Sequence, residues 1–135
     1  MKYRQYSTPG VLDAAVPTRI PAQPGTYRII AVTVTVTAAA AAGSSRSTAL
    51  IVEYAGVATV WRSPAATVAD NSGAAITWAD LGSDADHPDA TNGTHYITAP
   101  APRFWITAQM TVGVHMANAF AGDTWSSISW LIEDI

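Results

Sequence analysis

The residues best suited to chemistry lie in one polar segment, residues 79–93, which holds four of the ten acidic side chains and a histidine: Asp80, Asp84, Asp86, His87 and Asp89. Oxygen ligands at alternating loop positions are suited to Ca²⁺, but an EF-hand loop also needs glycine at its sixth position and glutamate at its twelfth. Counted from Asp84, those positions hold Asp89 and His95, so the pattern fails. A solvated, turn-rich loop is the favoured interpretation. A looser calcium site formed by Asp84, Asp86 and Asp89 stays open as an alternative.

No other group of residues forms a recognisable catalytic or cofactor motif. The three histidines, His87, His95 and His115, are too scattered to indicate a zinc site. The chain has no cysteine, which excludes disulfides and cysteine-based metal sites. There is no Gly-x-Ser-x-Gly elbow and no glycine loop for phosphate. We therefore expect a protein that is not an enzyme and that holds no cofactor.

Aromatic side chains are the remaining candidates for recognition. The chain has five tryptophans and five tyrosines, and exposed tryptophan rings can stack on sugars. Most of the tryptophans lie in alternating segments, so packing in the core or between subunits is the favoured interpretation. Trp125 follows a Gly-Asp-Thr turn, and we expect it to be the most exposed of them.

The elements that would position these residues are β-strands. Val32, Val34 and Val36 alternate with three threonines, a period of two in β-branched residues that is typical of a strand. Similar stripes occur at Met110, Val112, Val114 and Met116, and at Ile128, Trp130 and Ile132; in 104–106, Phe104 and Ile106 share a face opposite Trp105. Eight to ten short strands with regular turn signals and no amphipathic helix predict an all-β sandwich or closed barrel.

Residues 1–25 are different in character because they contain four prolines, which disfavour a helix and a central strand. We expect an extended N-terminal arm over 1–25 that contacts a neighbouring protein, followed by one β-domain over 26–135. The residues expected to make the partner contacts are Tyr3, Arg4, Tyr6, Pro9, Val11, Leu12, Pro17 and Ile20.

The composition of the chain limits the classes of partner to be expected. Hydrophobic residues make up 49% of the chain and charged residues only 13%, against about 25% in an average domain. So uncharged a surface is typical of a chain partly covered by neighbouring copies. The net charge of −3 without a basic run argues against nucleic acid. The polar start of the chain and its threonine-interrupted apolar stretches predict a soluble protein with no export signal and no membrane partner.

Several strand entries and turns resemble small jelly-roll proteins of bacteriophage particles. These are the Pro-Gly-Thr-Tyr entry of 24–30 and the Gly-Asp-Thr-Trp entry of 121–133. Residues 78–106 are similar to tumour-necrosis-factor-like and complement-globular-head-like domains, with an Asp-rich segment, Asn92-Gly93 and Thr98-Ala99-Pro100 before an aromatic strand. The glycine–aromatic pair usual in that family is replaced here by Pro102-Arg103-Phe104. The resemblance implies a jelly-roll β-sandwich, commonly a trimer, that decorates a capsid or belongs to a fibre.

These observations lead to two functional expectations. The first is a bacteriophage structural protein of the virion, a decoration or cement protein that binds the major capsid protein or other virion proteins as a homotrimer and stabilises the assembled head. The alternative is a receptor- or carbohydrate-binding module of a fibre or adhesin. That alternative predicts an exposed tryptophan or tyrosine beside residues 79–93.

Overall fold

A computed structural model describes residues 2–10, 17–39, 45–55, 57–69, 72–80, 85–88, 94–120 and 122–135. These residues form twelve strands, of which eight have five residues or more. The strands are β1 (Lys2–Thr8), β2 (Thr18–Arg19), β3 (Tyr27–Thr37), β4 (Arg46–Tyr54), β5 (Ala58–Arg62), β6 (Ala66–Val68), β7 (Gly73–Ala79), β8 (Ala85–Pro88), β9 (Thr94–Pro100), β10 (Met110–Ala117), β11 (Thr124–Trp125) and β12 (Ile128–Asp134). Nowhere in the described part of the chain is there a helix long and apolar enough to cross a membrane.

The strands form two sheets packed face to face, so the predicted all-β sandwich is confirmed. The larger sheet has the order β1-β12-β3-β7-β9-β8, with β11 also paired to β3. The smaller sheet has the order β2-β10-β4-β5, with β6 also paired to β4. The β7–β9 pair is parallel, and the other strand pairs of the described residues are antiparallel.

The alternation predicted for β3 is present in the structure. Val32, Val34 and Val36 are buried and the threonines between them are exposed. A β-bulge shifts the phase once: Leu131 pairs with Ala31 but Ile132 pairs with Ile29, which leaves Ile30 as the extra residue. Because of this shift, Ile29 and Val32 both point into the core although they are three residues apart.

The core lies between the sheets and holds the apolar stripes of both. Trp78, Trp130, Ile29, Leu50 and Val112 are fully buried. The stripes predicted for β10 and β12 are confirmed at Val112, Val114, Met116, Ile128, Trp130 and Ile132. Two sheets that close on one continuous core of this kind form a β-sandwich.

The N-terminal segment departs from the predicted division at residue 25. Strand β1 pairs along its whole length with β12, and β2 pairs with β10, so both are strands of the sandwich. The N-terminal segment is also packed closely against the rest of the sandwich. A Cβ atom added at Gly113 would lie 2.8 Å from Pro17 Cβ, and one added at Gly10 would lie 2.7 Å from Trp125 Cβ. The prolines follow or precede these short strands and do not interrupt them, which is how an edge strand tolerates proline. Residues 11–16 lie outside the described residues.

Candidate functional site

The outer face of the larger sheet, the side opposite the core, carries an unbroken row of small hydroxyl side chains. Antiparallel and parallel register place Ser7, Ser129, Thr33, Thr77 and Thr98 beside one another on five adjacent strands. Residues directly opposite on neighbouring strands share a face. This hydroxyl row therefore crosses the sheet from β1 to β9, with Thr33 at its centre.

The positions around the hydroxyl row are also uncharged. We define the threonine face as the row together with the outward positions next to it, and none of these carries a charged side chain; they are Gln5, Leu131, Ala31, Thr35, Thr37, Ala75, Ala79 and Tyr96. Thr33, Thr35, Thr37 and Tyr96 are exposed. An uncharged, exposed sheet face has no like charges to repel another protein surface.

Among the residues that the structure describes, the charged side chains of the outer face lie at one end of the sheet, next to the bulge. Tyr3, Glu133 and Arg28 lie in one row on β1, β12 and β3. Arg28 Nε donates a 2.7 Å hydrogen bond to Glu133 Oε2, and Arg28 Nη1 lies 3.5 Å from Asp80 Oδ2. The Arg28 guanidinium sits 5.9 Å from the centroid of the Trp105 ring. We call these five residues, Tyr3, Arg28, Asp80, Trp105 and Glu133, the aromatic–arginine cluster.

Burial within the aromatic–arginine cluster is uneven. The Glu133 side chain is 1% exposed and Arg28 is 33% exposed, whereas Trp105 is 41% and Tyr3 60% exposed. The hydrogen bond to Glu133 raises the pKa of Arg28 above its ordinary value, so the guanidinium stays charged. The cluster thus presents two rings and a fixed cation to solvent, anchored from below by a buried carboxylate.

A second arginine–carboxylate pair is sealed inside the protein. Arg46 and Asp123 are both 0% exposed and joined by two 2.8 Å hydrogen bonds. Asp123 also accepts hydrogen bonds from the backbone N–H groups of Ala39 and Phe120. Burial raises the pKa of Asp123, but the hydrogen bonds from Arg46 and the two N–H groups outweigh it and hold that pKa below its ordinary value. This pair ties the start of β4 to the segment before β11.

The residues predicted as partner contacts occupy different environments. Tyr3 and Pro9 are exposed. Arg4 is paired with Asp134, and the Tyr6 hydroxyl donates to Gln23 Oε1 at 3.1 Å. Pro17 is half-buried and Ile20 belongs to the core at 7% exposure, so Ile20 has no surface to offer a partner. Val11 and Leu12 lie outside the described residues.

Of the three calcium candidates in the acidic segment, the structure describes Asp86, which lies on β8. Its carboxylate lies 2.9 Å from His95 Nδ1. Asp84 and Asp89 lie outside the described residues, and across the residues that are described no three histidine, aspartate or glutamate side chains come together as a metal ion needs. Asp86 also borders an open groove of about 440 Å³ whose other lining residues are Pro64, Ala65, Ala66, Thr67, Ala85, Ile97, Thr98 and Ala99.

The prediction that Trp125 is the most exposed tryptophan is wrong. Trp125 packs against the core, and its Nε1 donates to the Met116 sulfur at 3.2 Å. Trp105 is the exposed one, as its position opposite Phe104 and Ile106 indicates: Ile106 is fully buried and Phe104 packs against the core. The Arg46–Asp123 pair and the hydroxyl row carry no local sequence signal, because their members are far apart in the chain.

Comparison of the chain with protein-family models, curated proteins and solved structures finds no match.

Proposed function

We propose that this protein is a non-enzymatic structural subunit with a jelly-roll fold, which forms a homotrimer through the threonine face and decorates an assembled bacteriophage head. Its partners in this role are two further copies of the chain and the major capsid protein. Its location is the virion. The observation that carries the proposal is the uncharged threonine face with its hydroxyl row.

The jelly-roll assignment is supported by the way the strands are paired. Strand β1 pairs with β12, β2 with β10, β3 with β7 and β4 with β5, all antiparallel. These pairs are nested, as in one long antiparallel hairpin. Rolling up that hairpin brings β12 beside β3 and β10 beside β4, and both contacts are present. Double-sheet jelly rolls of eight strands are common among viral capsid and lectin domains.

Self-association is supported by where the charges lie. The cores of protein interfaces are depleted in charged residues, and the threonine face carries none across five strands. A monomer relies on surface charge for solubility, whereas only 13% of this chain is charged. Covering the threonine face with neighbouring copies removes this uncharged sheet surface from water.

Decoration would stabilise the head by mass action. A protein that binds only the assembled shell stabilises it in proportion to the binding free energy. The exposed Tyr3 and Pro9 of the N-terminal segment lie at and just beyond the edge strand β1. Edge strands are frequent sites of contact with another chain, so this edge is the surface proposed to face the capsid protein.

The test of self-association places one charge at the centre of the hydroxyl row. Thr33→Lys puts an ammonium group at each copy's proposed interface, and Thr59→Lys puts the same group on the exposed edge strand β5 as a matched control. Analytical ultracentrifugation is expected to find Thr33→Lys as a monomer and Thr59→Lys with the mass of the unchanged protein. Equal masses for the two variants would contradict an interface on the threonine face.

The test of decoration uses heads assembled from the major capsid protein encoded alongside this chain. Co-sedimentation is expected to show saturable binding of the unchanged protein and a higher temperature of head disruption when it is bound. Heads that sediment without the protein at saturating concentrations would overturn the decoration role, whatever the oligomeric state.

A further inference from the structure

The aromatic–arginine cluster holds Trp105 in an outward position by backbone contacts on its inner side. Ile106 N–H donates to the Tyr27 carbonyl at 2.6 Å, and Tyr27 N–H donates back to the Ile106 carbonyl at 3.1 Å. With Ile106 buried, the Trp105 ring is turned away from the core. Its 41% exposure is therefore built into the backbone pairing and is not a consequence of a loose side chain.

Arg28 is pre-ordered next to that ring. Its guanidinium is hydrogen-bonded to Glu133 and lies 3.5 Å from the second carboxylate, Asp80, while its Cζ atom lies 5.9 Å from the centroid of the Trp105 ring. A guanidinium held by a buried carboxylate loses little further conformational freedom when a ligand binds. The polar groups of this surface are thus in place before any ligand arrives.

Tyr3 completes the cluster on the other side of Arg28. It lies in register with Glu133 and Arg28 on adjacent strands, so its Cα is roughly 10 Å from that of Arg28, two strand spacings. At 60% exposure, its ring is available to a ligand. Two exposed aromatic rings therefore flank one ordered group of hydrogen-bonding side chains.

The charges of the cluster favour neutral ligands over anionic ones. One arginine against two carboxylates leaves a net charge of −1, which disfavours phosphate, nucleic acid and acidic sugars. Carboxylates accept hydrogen bonds from hydroxyl groups, and aromatic rings pack against the apolar face of a ring. The cores of protein interfaces are typically depleted in aspartate and glutamate. The cluster contains both, and the Asp80 side chain is 23% exposed, so the cluster does not match the core of a protein interface.

We propose that the aromatic–arginine cluster is a binding site for neutral oligosaccharides, with the Trp105 and Tyr3 rings as stacking surfaces and Arg28 and Asp80 as hydrogen-bonding partners of the sugar hydroxyls. Sugar binding is an activity additional to the proposed assembly role. The site lies at the bulged end of the same sheet, where its Tyr3, Glu133 and Arg28 row borders the outer row of the threonine face. Asp80 belongs to the 79–93 segment, so the cluster supplies the exposed aromatic that a carbohydrate-binding module requires beside it.

The test is a glycan array printed with matched neutral and sialylated oligosaccharides, followed by calorimetric titration of the strongest neutral binder. The unchanged protein is expected to bind neutral members of the pairs in preference to their sialylated partners. Trp105→Ala is expected to weaken binding about tenfold or more, and Trp105→Phe to retain most of it. Tyr3→Ala is expected to weaken binding, while Tyr54→Ala serves as its control, because Tyr54 is 44% exposed on the smaller sheet.

Thermal unfolding of each variant separates loss of the site from loss of the fold. Absence of saturable binding to every neutral oligosaccharide, or equal binding by Trp105→Ala and the unchanged protein, would overturn the proposal. Preference for the sialylated members would overturn the charge argument. If the unchanged protein binds no oligosaccharide and Trp105→Ala loses head binding, Trp105 contacts a protein and the proposal is overturned.

Discussion

Two arginines of this sandwich pair with carboxylates in opposite settings. Arg46 and Asp123 are both fully buried, and every hydrogen bond of Asp123 described above comes from the protein. Arg28 is 33% exposed over a buried Glu133. Each arginine lies near an aromatic ring. Arg46 Cζ is 4.7 Å from the centroid of the Phe120 ring, and Arg28 Cζ is 5.9 Å from the centroid of the Trp105 ring.

The difference shows what each pair contributes. A buried ion pair is costly to break, since removing one partner leaves an uncompensated charge out of water. The sealed pair therefore acts on the stability of the fold and has no surface for a ligand. The half-open pair is open to water on the Arg28 side, which screens its charges, so it contributes less to stability than the sealed pair. It also keeps ordered polar groups beside two exposed rings.

The largest expected effect comes from neutralising the sealed carboxylate. Asp123→Asn leaves the buried Arg46 charge without its partner, and we expect a loss of about 3–5 kcal/mol in the free energy of unfolding. The matched Asp80→Asn removes the half-open partner of Arg28 and is expected to cost about 1 kcal/mol or less. Urea denaturation of the two variants measures the contrast. Similar losses would show that the two pairs are equivalent.

The same contrast has a pH dependence. The pKa of Asp123 is lower in the folded chain than its ordinary value of 3.8. Its contribution is therefore complete above that value and is lost as the pH falls through the lower, folded pKa. The stability gap between the unchanged protein and Asp123→Asn should be constant from neutral pH to about 5 and should narrow below about 4. Denaturant titrations at several pH values test this; a gap that widens in acid would contradict it.

A smaller effect is expected at the half-open pair. Arg28→Ala leaves the 1% exposed Glu133 side chain without the hydrogen bond that Arg28 donates, and we expect a loss in the free energy of unfolding that is smaller than the loss in Asp123→Asn. Adding Glu133→Gln removes the unpaired charge, so the double variant should recover part of that loss. A double variant less stable than Arg28→Ala would show that Glu133 is held by other groups.

Local sequence patterns were sufficient for the elements with a strict period of two. The Val–Thr alternation of β3 and the stripes of β10 and β12 predicted which side chains face the core, because side chains of a strand alternate between two faces. The same rule set Trp105 on the face opposite Phe104 and Ile106, but the tryptophan expected to be exposed was Trp125, and the structure exposes Trp105 instead. These predictions needed no knowledge of which strands are neighbours.

Features made by strand pairing were not accessible in this way. The N-terminal prolines predicted an arm, but β1 pairs with β12 at the other end of the chain, and local composition does not encode that pairing. The hydroxyl row joins positions from Ser7 to Ser129 that look like ordinary turn or strand residues separately. Trp125 was predicted to be exposed because nothing in the sequence indicates its contact with Met116.

The measurement that tests the central claim most directly is the mass of the unchanged protein in solution, by light scattering after size exclusion over a range of concentrations. The account predicts a trimer, with three times the chain mass of 14.1 kDa, because the threonine face would otherwise stay exposed. A protein that has the mass of one chain at every concentration would contradict the proposed assembly through that face.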